Sequence, residues 1–361
     1  MRLSLRRRPS EPAEHPSPEA PGVALPDYED PGSSDPLAEI ATLMESNRHE
    51  RSAAAERRLV QLRHAAFDQL DLTPPADAPD LSGLPEPDRE LLGSHGLPEV
   101  DVSELTVEAL RAGILGWGSL LVRGLLDPER AGRLKDGIDE AFAARDRFLD
   151  GAPASETTPW FEPFAPAPKH PFDPHQRNRL RAGGHAAWTP DSPRMMFELT
   201  DAFEAAGLTE LIAGYLGEPA TLSMNKSVLR RVSPDSGTDW HQDGAFLGKG
   251  IRTLNVWIAA SRCGDVAPGM DIVARRFDEI VETGTEGAIF PWAVSPQMVE
   301  QVSEDHGISR PVFNAGDGLL FDHYCLHRTA VGPGMTEQRY ATETWCFGPS
   351  AYPDSTIPFV L

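Results

Sequence analysis

The segment Gly318-Leu-Leu-Phe-Asp-His-Tyr-Cys-Leu-His-Arg-Thr329 is one of five β-like stretches in the C-terminal half of the chain. Each stretch is rich in apolar residues, and turns containing Gly or Pro separate it from the next. Such runs, bounded by turn residues, are typical of strands that pack into sheets. The five predicted strands cover residues 220–232, 238–247, 252–261, 318–329 and 338–347.

Helical patterns come before most of these strands. A helix is predicted over residues 103–115, followed by a strand over 119–125. A second helix begins after Asp127, which is a good N-cap residue and is followed by Pro128 at the first helical position. A third helix is predicted over 193–216. Helices first and strands afterwards predict an α+β domain whose closing strands form a barrel or a two-sheet jelly roll.

The N-terminal part of the chain differs in composition from the rest. Residues 1–35 are dense in Pro, Glu and Ser, and we expect them to be disordered because they cannot bury enough apolar surface. Residues 36–99 are predicted to be a helical extension and linker, and residues 100–361 the folded domain. Within that domain, residues 152–190 predict a long loop, whose His and Arg cluster is either a solvated lid or a substrate clamp.

The overall charge limits the classes of partner. A net charge of −22 repels phosphate backbones and anionic lipid, so a small-molecule partner is expected rather than nucleic acid or a membrane. The three cysteines, Cys263, Cys325 and Cys346, form no CxxC pair and indicate a reducing compartment. No apolar stretch follows the basic start of the chain. We therefore expect a cytoplasmic protein.

A candidate metal site begins with the tripeptide His241-Gln242-Asp243. Residues two apart on a strand share a face, so His241 and Asp243 can bind the same metal ion. His327, on a later predicted strand, completes a set of two His and one carboxylate. That set is typical of non-haem Fe(II) oxygenases, because it leaves coordination positions open for an oxo-acid and dioxygen. His323 is the alternative third ligand.

The turn at residues 331–336 separates His327 from Arg339. If the flanking strands pair across this turn, residue 327 lies opposite 339 and both project into one cavity, whereas Arg328 points outward. A guanidinium can bind a carboxylate through two parallel hydrogen bonds. In so acidic a chain, a buried Arg beside a metal site calls for an anion, and we expect it to bind the distal carboxylate of 2-oxoglutarate.

These motifs resemble those of the phytanoyl-CoA dioxygenase family of Fe(II)- and 2-oxoglutarate-dependent oxygenases. The resemblance rests on His241-Gln242-Asp243, on His327-Arg328-Thr329, on Arg339 and on the strands at 120–124 and 255–259. It implies a double-stranded β-helix of the cupin-like, jelly-roll type with flanking helices. It also implies Fe(II) held by His241, Asp243 and His327, with 2-oxoglutarate held by Arg339 and dioxygen as the oxidant.

One segment departs from the family pattern. The family often has Pro-Gly-Ser-His after the strand that contains Trp257, where this chain has Ala267-Pro-Gly-Met-Asp271. The 1-carboxylate of 2-oxoglutarate has no assigned partner, and the candidates are Asn225, Lys226 and Asn255. A purely structural role is an equal expectation for each of these three residues.

The implied reaction is hydroxylation of a small organic molecule with release of succinate and CO2, and desaturation or ring formation stays open. Halogenation is disfavoured, because Asp243 occupies the coordination position that a halide would need. Two other classes of function remain. One is a cupin-like metalloenzyme that does not use 2-oxoglutarate, which leaves Arg339 unexplained. The other is a non-catalytic binding protein on the same barrel.

Overall fold

The strands of the protein form two sheets that face each other. The computed structural model describes residues 26–170, 185–248, 250–354 and 356–361. The strands in these ranges are β1 Glu99–Asp101, β2 Ser119–Arg123, β3 Ala186–Trp188, β4 Thr221–Val232, β5 Thr253–Ala259, β6 Gly269–Val273, β7 Ile308–Ser309, β8 Gly318–Phe321, β9 His327–Ala330, β10 Arg339–Phe347 and β11 Pro358–Val360.

The larger sheet contains eight strands in the order β1-β2-β8-β5-β10-β4-β11, with β3 paired to β4. Its side chains alternate between two cores, as the period of a strand requires. On β5, Leu254 and Val256 belong to the core on the helical side of the sheet. Trp257 and Ala259 belong to the core between the two sheets. The larger sheet is therefore buried on both faces.

The smaller sheet has the order β7-β6-β9 and closes the other side of the inner core. Met270 and Ile272 of β6 pack there against Trp257 and Phe321 of the larger sheet. The chain at His241 extends this sheet beyond β9, because the backbone N–H groups of His241 and His327 each donate to the other residue's carbonyl, at 3.0 and 3.1 Å. Two facing sheets with helices on one outer face confirm the predicted α+β, double-stranded β-helix fold.

Helices cover the outer face of the larger sheet. Those described are α1 Pro36–His49, α2 Ala53–Ala66, α3 Val107–Trp117, α4 Pro128–Leu149, α5 Ala154–Thr157, α6 Pro193–Ala205, α7 Leu208–Leu216, α8 Gly244–Leu247 and α9 Pro296–Ser303. Apolar side chains of α3, α4, α6 and α7 form one core with β2, β4, β5 and β8. Asp127 caps α4 as predicted, since its carboxylate accepts a hydrogen bond from the Arg130 N–H at 2.8 Å. Among the described helices, none is long and apolar enough to cross a bilayer.

The helices α1 and α2 pack on the remainder of the protein through a core of their own. Leu62 and Phe67 contact Phe197 of α6 and Val360 of β11 in this core. Arg63 also donates a hydrogen bond to the Val360 carbonyl at 3.0 Å. The predicted boundary at residue 100 stays a prediction, and most of the segment predicted to be disordered, residues 1–25, lies outside the described residues.

Two predicted elements are interrupted. The helix predicted over 193–216 is two helices, because Gly207 has a φ of 64° and ends the first one. The strand predicted over 318–329 is also two, β8 and β9, which belong to different sheets. The Asp322 carboxylate accepts a hydrogen bond from the Tyr324 N–H at 3.0 Å, and this turn breaks the strand.

The structure contradicts two further predictions about the region of the candidate site. Residues 238–247 are not a strand: Asp243 already has helical backbone angles and leads into the helical turn α8. The predicted hairpin is also absent from the described residues. Instead, β9 pairs with β6, whereas β10 lies between β4 and β5 in the other sheet. His327 and Arg339 nevertheless line the same cavity, because the two sheets that carry them face each other.

Candidate active site

A cavity of about 560 Å³ lies between the two sheets at one end of the inner core. Its wall combines aromatic rings with charged side chains from both sheets, as small-molecule sites commonly do. The residues that line it are Trp188, Asn225, Lys226, Val228, Arg230, Thr238, His241, Asp243, Phe246, Trp257, Met270, Trp292, Phe321, His327, Thr329, Arg339, Glu343 and Trp345.

His241, Asp243 and His327 come together at the inner end of this cavity. One possible ligand atom from each side chain lies within 4.8 Å of the others. The His327 Nε2 atom is 3.8 Å from the Asp243 Oδ2 atom, and the two imidazole rings have centroids 4.5 Å apart. The structure therefore brings together the three side chains that the sequence singled out.

Backbone carbonyl groups orient both imidazoles. The Nδ1 atom of His241 is 2.8 Å from the Asp239 carbonyl oxygen, and that of His327 is 3.0 Å from the Cys325 carbonyl oxygen. A carbonyl can only accept a hydrogen bond, so each Nδ1 carries the proton. In the neutral form of each ring, Nε2 is then the atom with a lone pair for a metal ion, which is the usual arrangement around metal-binding histidines.

Gln242 holds the segment between the two proposed ligands His241 and Asp243. Its amide nitrogen donates to the Tyr324 carbonyl at 2.7 Å, and its amide oxygen accepts from the Val281 N–H at 2.7 Å. Gln242 faces away from the cavity, as the tripeptide pattern predicted. Its side chain is fully buried, so these hydrogen bonds fix the position of the neighbouring ligands.

The electrostatics of the cluster suit a cation. Burial lowers the pKa of His327 to about 3, so its imidazole is neutral and available as a ligand at physiological pH. Burial raises the pKa of Asp243 above its ordinary value, because an ionised carboxylate is costly in this environment. A divalent metal ion would compensate that charge. Two imidazoles and one carboxylate fit Fe(II), whose preferred ligands are of these types.

His323 lies apart from the cluster. Its Nδ1 atom is 3.0 Å from the Thr253 hydroxyl oxygen, and burial lowers its pKa. It does not line the cavity. The geometry thus favours His327 over His323 as the third ligand.

Arg339 enters the cavity from β10 without a carboxylate partner in the described residues. Its guanidinium donates to the Gly269 carbonyl at 3.2 Å and to the Thr329 hydroxyl at 3.3 Å, and its Nε atom has no hydrogen-bond partner there. Burial lowers its pKa to about 10. Arg328, by contrast, is half-exposed and donates to the Asp271 carboxylate at 2.8 Å. A buried cation with unused donors is a site for an anion.

The two asparagines predicted as cofactor-binding residues occupy different places. Asn225 lines the cavity, and its amide oxygen accepts from the Ser223 hydroxyl and the Ile357 N–H, both at 2.9 Å. Asn255 is fully buried between the sheets and does not line the cavity. Neither of its amide atoms has a hydrogen-bond partner among the described residues.

Sequence reasoning missed the pair formed by Arg230 and Glu343 in the cavity wall. Two nitrogens of the Arg230 guanidinium donate to the Glu343 carboxylate at 2.7 and 3.0 Å. Burial raises the pKa of Glu343, but the charge and hydrogen bonds of Arg230 more than offset this and leave it below its ordinary value. The signal was present, because Glu343 lies four residues after Arg339 on a strand and must share its face.

Aromatic residues of the outer cavity were also missed. Trp292 lies on the segment before α9, and its ring packs edge-on against His241 with centroids 5.6 Å apart. Phe246 of α8 stacks beside the same imidazole at 6.5 Å. Nothing in the local sequence pattern marks these two residues, because their contacts with the site depend on the tertiary fold.

The predicted His and Arg cluster of the long loop falls mostly outside the described residues. The structure describes His170, whose imidazole packs against His64 with ring centroids 5.3 Å apart. Burial lowers the pKa of His170, which does not line the cavity. The other members of the cluster, at residues 175–181, lie in the range that is not described.

Comparisons with known proteins give structural likenesses only. No protein-family model matches the chain, and no curated protein matches it significantly. One similar solved structure is EctD from S. alaskensis with 2-oxoglutarate and 5-hydroxyectoine, at a TM-score of 0.46 and 14% identity, covering 78% of this chain and 88% of that one.

Two further solved structures are similar at the same level. The non-heme alpha ketoglutarate dependent carbocyclase SnoK from nogalamycin biosynthesis has a TM-score of 0.44 and 13% identity, covering 69% of this chain and 87% of that one. AviO1 from Streptomyces viridochromogenes Tue57 has a TM-score of 0.40 and 17% identity, covering 66% of this chain and 92% of that one. At such low similarity, the function must be argued from the site itself.

Proposed function

We propose that this protein is an Fe(II)- and 2-oxoglutarate-dependent oxygenase of the phytanoyl-CoA dioxygenase type that hydroxylates a small organic molecule. One observation carries the proposal. A set of two His and one Asp and a buried guanidinium without a carboxylate partner line the same cavity. The three proposed ligands are of the types that bind a divalent metal ion, and the guanidinium can bind an anion beside it.

In this proposal, His241, Asp243 and His327 hold Fe(II), and Arg339 binds the distal carboxylate of 2-oxoglutarate. Dioxygen would supply the oxidising power at the bound metal: one of its oxygen atoms would go to the substrate and the other to 2-oxoglutarate, which leaves as succinate and CO2. The chain supplies orientation. The carbonyls of Asp239 and Cys325 fix the imidazole tautomers, and Thr329 and Gly269 fix the direction of the Arg339 guanidinium.

Aromatic side chains form a large part of the cavity wall around the proposed metal ligands. Phe321 and Trp345 are fully buried beside His327, and Trp292 and Phe246 flank His241. A dry site strengthens the charge interactions that hold an anionic co-substrate, and it protects a reactive centre from side reactions. The aromatic wall therefore fits an oxygenase better than an open metal-binding surface.

The carboxylate of Asp243 favours hydroxylation over halogenation, because it occupies a coordination position that a halide would otherwise take. Desaturation and ring formation use the same metal site and differ only in the fate of the substrate. They are alternative outcomes of the same proposed chemistry.

A cupin-like metalloenzyme that does not use 2-oxoglutarate would explain the three ligands. It would leave the buried, unpaired guanidinium of Arg339 without a role, and a buried charge without a partner is costly. A non-catalytic binding protein on the same barrel would explain neither feature. The site therefore supports the oxygenase more strongly than either alternative.

Release of succinate tests the proposal. The protein is incubated with Fe(II), 2-oxoglutarate and air, alone and with pools of small metabolites, and succinate is measured by NMR spectroscopy. The proposal expects succinate that depends on all three components and is lost in His327→Ala. Tight metal binding without affinity for 2-oxoglutarate would favour the cupin-like enzyme. Affinity for neither would favour the binding protein.

A further inference from the structure

One positively charged side chain of the cavity wall has no opposite charge assigned to it. Arg230 and Glu343 neutralise each other, and the proposed function assigns Asp243 to the metal and Arg339 to the co-substrate. Lys226 also lines the cavity. No carboxylate in the described part of the chain lies within ion-pair distance of its ammonium group, which lies over an aromatic ring.

That ring belongs to Phe246, whose centroid is 4.7 Å from the Lys226 ammonium nitrogen. Phe246 is the first of three connected aromatic side chains. Its ring is nearly perpendicular to that of Trp292, with centroids 6.1 Å apart, and Trp292 stacks in parallel on Phe290 at 5.0 Å. Phe246 and Phe290 are 42% and 48% exposed, which is unusual for such large apolar side chains.

The three rings connect the protein surface to the candidate metal centre. Phe290 lies at the outer end, and Trp292 lies at the inner end against the His241 imidazole. Phe246 and Trp292 meet edge to face, and the Lys226 ammonium lies over the Phe246 ring. Ring faces of this kind stack well on flat apolar groups, and an exposed apolar surface beside a metal site commonly binds a ligand.

We propose that the substrate is an organic carboxylate with a flat, ring-containing body, which packs against Phe246 and Trp292 while its carboxylate pairs with Lys226. This inference rests on the proposed function, because it takes Arg339 as occupied by 2-oxoglutarate. A single ammonium is a point charge that suits one carboxylate, whereas a phosphate dianion commonly meets several donors or a guanidinium fork. A cationic substrate would find Glu343 already paired to Arg230.

One alternative role for Lys226 is to bind the 1-carboxylate of 2-oxoglutarate. The two roles predict different losses. A substrate-binding lysine affects the affinity for the aromatic acid alone, whereas a co-substrate lysine affects the affinity for 2-oxoglutarate. Lys135 provides a matched control, because its ammonium also lies over a ring, that of Tyr340 at 5.0 Å, and it is outside the cavity.

The test is anaerobic calorimetric titration of the Fe(II)- and 2-oxoglutarate-loaded protein with 3-phenylpropionate, 4-hydroxycinnamate and naphthalene-2-carboxylate, and with the primary amide of each. At least one acid is expected to bind the wild type and Lys135→Met about tenfold or more tightly than its amide, as for a charge-assisted hydrogen bond. Lys226→Met should remove that difference and leave the dissociation constant of 2-oxoglutarate unchanged.

Three results would overturn the inference. The first is that the amides bind as tightly as all the acids, the second that no acid binds the wild type, and the third that Lys226→Met weakens the binding of 2-oxoglutarate instead. The visible charge-transfer band of the Fe(II)–2-oxoglutarate complex separates these failures from failure of the proposed function. A normal band with equal affinities for acids and amides contradicts the substrate class alone, whereas a missing band in the wild type contradicts both.

Discussion

Two of the cavities in the described part of the chain are each lined by more than one arginine, and they differ in how those charges are paired. The first is the active-site cavity of about 560 Å³. The second is a groove of about 680 Å³ between α1, α4 and α6, which we call the arginine groove. It is lined by Arg48, Arg51, Arg130, Arg133, Asp201, Glu204 and Ala205.

Each arginine of the arginine groove has a carboxylate partner. Arg48 pairs with Asp201 at 2.7 Å, and Arg51 pairs with Glu198 at 2.8 Å. Arg130 and Arg133 each pair with an acid of their own helix. In the cavity of the candidate active site, Arg339 and Lys226 have no such partner in the described residues. Asp243 is the carboxylate there that the proposed metal ion would neutralise. The candidate site therefore differs from the arginine groove more in its charged side chains without an ion-pair partner than in its volume.

The largest effect is expected from the proposed metal ligands. His327→Ala or Asp243→Ala should abolish turnover and weaken Fe(II) binding by more than about tenfold, since loss of a residue that only orients a metal ligand typically costs about 10–100-fold in affinity. Metal binding is measured by anaerobic titration. His323→Ala is the matched control and should keep both properties, because His323 lies outside the cavity. Loss of activity in His323→Ala with normal activity in His327→Ala would refute the ligand assignment.

The next effect concerns the unpaired guanidinium. Arg339→Ala should raise the dissociation constant of 2-oxoglutarate about tenfold to a hundredfold, because a charge-assisted hydrogen bond contributes about 1.5–3 kcal/mol. Arg339→Lys should restore only part of the affinity, since it lacks the planar fork. Equilibrium titration of the co-substrate measures both.

Arg328 supplies the control for that experiment. It is close to Arg339 in sequence, but its guanidinium pairs with Asp271 and lies over the Trp240 ring at 4.9 Å, outside the cavity lining. Arg328→Ala should therefore leave co-substrate affinity nearly unchanged. Weak binding in this variant with normal binding in Arg339→Ala would reverse the assignment of the two arginines.

A smaller effect is expected on the stability of the metal-free protein. The pKa of Asp243 is raised by burial, so its contribution to stability is present below its unfolded pKa and is lost as pH rises through the folded pKa. Asp243→Asn has no ionisable carboxyl group at this position, so it does not lose stability in this pH range. The variant should melt above the metal-free wild type at pH 8, and the difference between the two melting temperatures should be smaller at pH 4.5. Equal differences at both pH values would contradict this account.

The smallest effect is expected in the arginine groove. Arg51→Ala should leave turnover and 2-oxoglutarate affinity unchanged, and it should change the free energy of unfolding by at most about 1 kcal/mol, as is usual for partly exposed ion pairs. Chemical denaturation and the succinate assay measure these properties. A tenfold loss of turnover would show that the arginine groove takes part in function, and the contrast between the two cavities would fail.

Local patterns were enough to predict part of this site. The tripeptide at His241 and the later His327 pointed to three side chains that the structure brings together. The predicted strand over residues 238–247 was wrong, since Asp243 begins a helical turn. The side chains of His241 and Asp243 nevertheless lie together. Arg339 reaches the cavity from the opposite sheet rather than across a hairpin. The face on which a side chain lies was thus predictable, whereas the pairing of its strand was not.

The remaining features depend on contacts between distant parts of the chain. Strand β6 was not predicted, because it is short and its first residue, Gly269, belongs to a Pro-Gly pair of the kind that is typical of turns. Trp292 belongs to a segment without a regular pattern and reaches His241 only in the folded protein. Glu343 was predictable from its spacing to Arg339, but its partner Arg230 lies on the neighbouring strand, more than one hundred residues earlier.

The central claim is that one cavity holds Fe(II) and 2-oxoglutarate together. Anaerobic visible absorption spectroscopy tests it directly, with 2-oxoglutarate titrated into the Fe(II)-loaded protein. The account predicts a metal-to-ligand charge-transfer band that saturates at one equivalent of co-substrate and is absent in His327→Ala. Fe(II) that binds tightly while 2-oxoglutarate produces no band at any concentration would contradict it.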